Sequence, residues 1–212
     1  MKISTLCKRP SIATTVALLL ALFFAPVAQA KLKTQNLVQL IASSQSIVAG
    51  TVSKVTDGID ANGLPYTEVT IQVGASAKGN IRHGAYTFRQ FGLLKPRTMA
   101  NGHRMLGVTP PEFPRWHADE YVVVFLYHPA AKTGLQTTTG LVQGKFLRIN
   151  KKLTNGFDNA GLFENIKTMP GVLSSAETKL LHSSRGPVSA TTLMGLIERV
   201  VKGNWIEKGM IK

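Results

Sequence analysis

The chain has 212 residues, with 25 Lys and Arg against 11 Asp and Glu, a formal net charge of +14, and a single cysteine. A length of this order suits one domain with a sizeable core. From Lys31 onward there is no cysteine, which excludes disulfide staples and thiol nucleophiles. The charge balance favours anionic over cationic partners.

Lys2, Lys8 and Arg9 make a basic start, residues 16–25 are an unbroken apolar run, and Pro26 with Ala28-Gln29-Ala30 ends it in a small-x-small pattern. That is the layout of a cleaved export signal over residues 1–30, with Lys31 as the first mature residue. The alternative is an uncleaved anchor, for which the run is short, since a spanning helix needs about 20 apolar residues. Cys7 precedes the run and so cannot be the lipid-bearing cysteine of a lipoprotein. No second stretch is long enough to span, so the expected product is exported, periplasmic or extracellular, with no membrane span.

Residues 34–44 predict a short helix with Thr34 as N-cap and Leu37, Leu40 and Ile41 at helical spacing. Residues 47–55 are strand-like and apolar on both parities, and Gly50 in their middle predicts a sharp bend or a close backbone approach. Turn residues fill 57–65, among them Gly58, Asn62-Gly63 and Pro65. In 66–76 Val69, Ile71 and Val73 alternate with Glu68, Thr70 and Gln72, the period of a half-buried strand. A third strand is expected over 86–91. Residues 92–119 are irregular and rich in Gly and Pro, and such long loops are usually functional or mobile. The run 120–128 reads as a central strand covered on both faces. Residues 135–149 predict a further strand bent at Gly140 and Gly144, and 150–166 a hairpin around Thr154-Asn155-Gly156. Residues 169–187 read as a linker with a helical turn near 176–182. Ser189 then caps a helix to Lys202, striped by Leu193, Leu196, Ile197, Val200 and Val201 and ended by Gly203.

These elements predict a mainly β protein: residues 31–168 as a small OB-like antiparallel β-barrel with an N-terminal helix, and 169–212 as linker and C-terminal packing helix. Closure would remove the exposed edges of a strand-rich exported protein. The series Ile47-Val-Ala-Gly-Thr-Val, Tyr66-Thr-Glu-Val-Thr, Lys78-Gly79, Glu120-Tyr-Val-Val-Val-Phe-Leu and Gly140-Leu-Val-Gln-Gly-Lys-Phe resembles a group of uncharacterised exported bacterial proteins. It covers most of residues 38–149 and implies fold and export but no activity. More distantly, the layout is similar to the OB-fold of tissue inhibitors of metalloproteinases and netrin-like modules. Those inhibitors chelate zinc through an N-terminal cysteine, a mechanism that no residue of a chain starting at Lys31 can perform.

Chemistry is sparse. His83, His103, His117, His128 and His182 lack zinc-binding spacing, and His117-Ala-Asp119-Glu120 reads as a turn before it reads as a ligand set. Gly74-Ala-Ser76-Ala-Lys78 lacks the last glycine of a nucleophile elbow. No cofactor is expected. Residues 69–111 contain no acid yet carry Lys78, Arg82, Arg89, Lys95, Arg97 and Arg104. Interleaved with aromatics, as in OB-type binding surfaces, Arg82, Arg89, Lys95, Arg97, Arg104, Phe113, Arg115 and Trp116 form the expected ligand-binding set, with Phe113 and Trp116 exposed in the Pro-rich loop. The plain alternative is a solvated basic face. Export argues against nucleic acid and for an anionic envelope polymer or an acidic protein. The function expected first is therefore a non-enzymatic binding module, then a secreted protease inhibitor using the same loop, then a metal-assisted hydrolase built on His117 and Asp119.

Overall fold

Two long strands carry the fold: β1 (Ser46–Ile59) and β2 (Pro65–Lys78), each 14 residues, paired antiparallel from Ile47↔Lys78 to Ile59↔Pro65. In the computed structural model, which describes residues 34–79 and 81–212, both strands outrun the expected bounds. Asp57, Gly58 and Ile59, expected in a turn, pair instead with Thr67, Tyr66 and Pro65. Only the stretch from Asp60 to Leu64 reverses the chain, closed by Asp60 Oδ1, which accepts from the backbone N–H groups of Asn62 and Leu64 at 2.8 Å each. The expected export signal lies outside the described residues, which form one unit from Thr34 to Lys212.

β3 (Gly84–Phe91), β6 (Tyr121–Leu126), β7 (Lys145–Ile149), β8 (Lys152–Asn155) and β9 (Val188–Ser189) complete a seven-stranded antiparallel sheet in the order β3-β2-β1-β6-β7-β8-β9. A separate small hairpin, β4 (Arg97–Thr98) with β5 (Arg104–Met105), rises from the 92–119 insertion. β6 is central and covered on both sides, as its two apolar parities require. Val123 and Phe125 join a core with the helices, while Val122, Val124 and Leu126 join a second core on the opposite face. β1 divides likewise, with Ile47 and Ala49 on the helix side and Val48 and Val52 on the other. A chain buried on both faces reads as continuous rather than alternating hydrophobicity.

Three helices back one face. α1 (Leu37–Ser43) is capped two residues later than expected. Asn36, not Thr34, is the N-cap, and it makes a reciprocal capping box with Gln39, both bonds at 3.0 Å. α2 (Ser175–Leu181) is a full helix where a linker with a turn was expected, capped by Ser174 with Glu177. α3 (Ala190–Lys202) follows its prediction, with Ser189 at its start, Gly203 at its end, and Leu193, Leu196, Ile197 and Val200 buried.

Two strand predictions fail locally. Of the stretch 135–149, only Lys145–Ile149 is a strand. Gly140 adopts φ 67°, Leu141–Gly144 forms a 3-10 turn, and Leu126↔Thr138 is an isolated bridge. The next hairpin turns at Asn150-Lys151, with φ of 48° and 63°, rather than at 154–156. Asn155 has another task, its side-chain oxygen accepting from the N–H groups of Phe157 and Asn159 as the chain leaves the sheet.

Among the described residues no ladder joins the edge strands β3 and β9, so the sheet is open where a closed barrel was expected. The 114–116 segment and Gln136 meet the β3 edge instead. Gln90 Nε2 donates to the Pro114 carbonyl at 3.1 Å, Trp116 Nε1 donates to Gln90 Oε1 at 3.1 Å, and Gln136 N–H reaches the Arg89 carbonyl at 2.7 Å. A covered edge does not template pairing with another chain, so closure is not needed for that purpose.

Candidate functional site

The eight expected site residues fall into separate places. Arg82 precedes β3 and lines a cleft of about 740 Å³ with Lys78, His83 and Lys202. Arg89 lies towards the other end of β3, directly opposite Glu68 in the ladder, and its Nε donates to Glu68 Oε2 at 2.8 Å. The Arg89 guanidinium also stands 4.2 Å from the Tyr66 ring centre. Eight residues of β3 put Arg82 roughly 25 Å from Lys95 along the strand direction, at about 3.3 Å per residue. The acid-free segment therefore does not form one groove.

The β4–β5 hairpin carries Arg97 and Arg104 on its two strands, and Lys95 lies in the bend that leads into it. Arg97 is anchored: its Nη2 donates to the Asp57 carboxylate and, at 2.8 Å, to the Asp57 carbonyl, while Asp57 Oδ2 accepts from Leu94 N–H at 2.8 Å. Burial pushes the Asp57 carboxyl up, but Arg97 and the Leu94 N–H more than offset it and hold the group below its ordinary range. Arg97 thus fastens the hairpin to the end of β1. Lys95 and Arg104 are exposed and, among the described residues, have no carboxylate partner.

Arg115 sits on a ridge between two clefts of about 390 and 240 Å³, both bounded by Pro114 and Arg115. The exposure expected for Trp116 is wrong. Its side chain is buried, edge-on to Phe88 with ring centres 5.4 Å apart, where it packs into the core on the face of the sheet opposite the helices. Phe113 is half-buried. Lys145 Nζ lies 4.9 Å from the Trp116 ring centre and donates to Glu120 Oε2 at 2.5 Å and to the Arg115 carbonyl at 2.6 Å. Lys145 therefore clamps the ridge to β6 and β7.

His117 Nδ1 lies 3.0 Å from Glu120 Oε1, and Asp119 is an exposed residue with φ 67°. No group of three or more His, Cys, Asp or Glu among the described residues is placed to hold a metal ion. The His117–Asp119 pair considered for metal-assisted hydrolysis has no third ligand there. The arrangement can order a basic, partly apolar surface.

The pattern of acids makes a prediction about pH. Burial raises Glu120 and Glu177, but Lys145 and His117 for the first, and Ser174 and Arg199 for the second, pull both below the ordinary glutamate value, as Asp57 is pulled below that of aspartate. A carboxyl whose pKa is lower in the folded than in the unfolded chain contributes stability that is complete above the unfolded value and lost as pH falls through the folded one. The urea midpoint should thus be flat from about pH 7 to 5 and fall steadily below about pH 4.5. A midpoint unchanged down to pH 2.5 would remove these three groups from the account.

Reasoning from sequence missed the acids that neutralise Arg89 and Arg97, because Glu68 and Asp57 lie outside the acid-free segment: strand pairing delivers the first, and the insertion folding back on β1 delivers the second. It also missed the exposed apolar residues Leu94, Leu106 and Val108 on the insertion. The alternation Arg104-Met-Leu-Gly-Val108 was the available signal. Among the described residues no helix is long and apolar enough to cross a membrane. In comparison with known proteins, the chain matches no family model, no curated protein and no solved structure.

Proposed function

We propose that this chain is an exported, non-enzymatic binding module that meets an anionic partner through its 92–115 insertion. The observation that carries the reading is the contrast between anchored and unanchored cations there. Arg97 is used to fix the hairpin, while Lys95, Arg104 and Arg115 stand exposed without a carboxylate partner among the described residues. Cations held on a fixed hairpin and left unneutralised attract anions at little further entropic cost. The fold is read with it as an OB-like barrel left open on one side. The run β3-β2-β1-β6-β7 supports this reading, as do the edge of β3 covered by the insertion and the second core lying within the curl. Folds of this type bind along one sheet face and its loops. Export, inferred from residues 1–30, directs the choice towards an envelope polymer or an acidic protein surface rather than nucleic acid.

On a polyanion column the protein should be retained and released by moderate salt, since such contacts are screened over about 10 Å at 0.1 M. The double variant Lys95→Glu with Arg104→Glu should elute clearly earlier with an unchanged urea midpoint. Elution at the same salt would count against the insertion as the binding surface.

A further inference from the structure

We infer that the β4–β5 hairpin is a lipid-surface contact, which inserts Leu106 and its apolar neighbours between the headgroups of an anionic membrane while Lys95 and Arg104 pair with them. This inference rests on the proposed anion-binding surface and gives it a lipid headgroup layer in place of a polymer or protein partner. Three of the five large hydrophobic residues exposed among the described residues lie on this one insertion: Leu94 at 49%, Leu106 at 65% and Val108 at 43%. Concentration of exposed apolar side chains on one element marks an interaction site, whereas single scattered ones do not.

The hairpin has two faces. Arg97 and Met105 are paired across it and turn to the body of the protein, where Arg97 holds Asp57. Gly107 lies against the same body, the position of its missing Cβ being 3.2 Å from Pro65 Cγ. Arg104, Leu106 and Val108 alternate with those residues and face solvent. Backbone bonds fix the hairpin and its base, with Met99 N–H to the His103 carbonyl at 2.8 Å, Gly102 N–H to the Met99 carbonyl at 3.0 Å and Leu93 N–H to the Gly107 carbonyl at 2.8 Å.

The choice of occupant follows from size and charge. Three apolar side chains flanking the base of a narrow hairpin offer far less than the roughly 800 Å² per partner of a stable protein interface. A polysaccharide has no use for leucines. A headgroup layer, in contrast, needs no complementary pocket, and it rewards a small apolar wedge combined with nearby cations. No acid occurs between Glu68 and Glu112, so no carboxylate within the hairpin opposes an anionic surface.

The test is co-sedimentation of protein beginning at Lys31, so that the apolar leader contributes nothing, with vesicles of phosphatidylcholine alone or with about 30% phosphatidylglycerol, at low and physiological salt. Binding is expected to the anionic vesicles only. Lys95→Glu with Arg104→Glu should weaken it by more than tenfold, at about fivefold per cation removed and more for reversal. Leu106→Ser with Val108→Ser should also weaken it at least tenfold while leaving elution from the polyanion column unchanged. Retention on the column without vesicle binding by the unaltered protein would overturn this inference and leave the anion-binding reading standing. Unchanged vesicle binding by the serine variant would likewise overturn it. Failure to bind either the column or the vesicles would overturn both.

Discussion

Replacing Trp116 with alanine should lower the free energy of unfolding by about 3–5 kcal/mol, the usual cost of emptying a buried aromatic site. The residue is only 4% exposed and completes the core between Phe88 and the central strands. Its loss also strands Gln90, whose Oε1 accepts from Trp116 Nε1 and which is itself fully buried. Trp116→Phe keeps most of the packing but not that hydrogen bond, so it should cost less, about 1–3 kcal/mol. Urea unfolding of the two variants measures both. A Trp116→Ala protein with an unaltered midpoint and impaired binding would restore the tryptophan to the role of a stacking platform, which its burial denies.

Gly50→Ala should destabilise by about 3 kcal/mol or more, at the upper end of overpacking costs. A Cβ there would stand 2.1 Å from the Gln72 carbonyl oxygen and 2.9 Å from Ile71 Cγ2. Neither can retreat cheaply, because β1 is paired with β2 on one side and β6 on the other, and Gly50 lies beside a slip in the β1–β2 register. Gly74→Ala is the control: the nearest atom to its Cβ position is the Ala49 carbonyl oxygen, 3.9 Å away. It should move the midpoint by less than about 1 kcal/mol, and Gly→Ala in a strand can even stabilise. Equal effects of the two substitutions would mean that the close approach at Gly50 is relieved by movement of the strands.

Much of the fold was legible where one element carried its own information. The cap and apolar stripe of α3 lie within fourteen consecutive residues, so Ser189 to Lys202 could be read directly. β6 announced its double burial by being apolar on both parities. Strand ends were not legible, because Asp57, Gly58 and Ile59 have turn character that pairing with Thr67, Tyr66 and Pro65 overrides. The hairpin before β8 was misplaced for a similar reason. Asn155-Gly156 is a strong turn signal, but the Asn155 side chain is committed to a loop beyond the strand, and Asn150-Lys151 makes the reversal. At the candidate site the cations were visible, but which of them are neutralised was not. Arg97 and Asp57 are 40 positions apart and meet only because the insertion folds back on the end of β1.

Sequence alone determined the elements whose energetics are local: the capped C-terminal helix, the periodicity of β2, and an unequal charge along the chain. Tertiary structure alone decided that the sheet stays open, that Trp116 is core rather than contact, that Arg89 and Arg97 are tied down, and that Leu106, Lys95 and Arg104 all face solvent. The physical reason is range. Propensity and periodicity act over a turn of helix or a few strand residues, whereas burial and charge pairing depend on which distant segments the folded chain sets side by side.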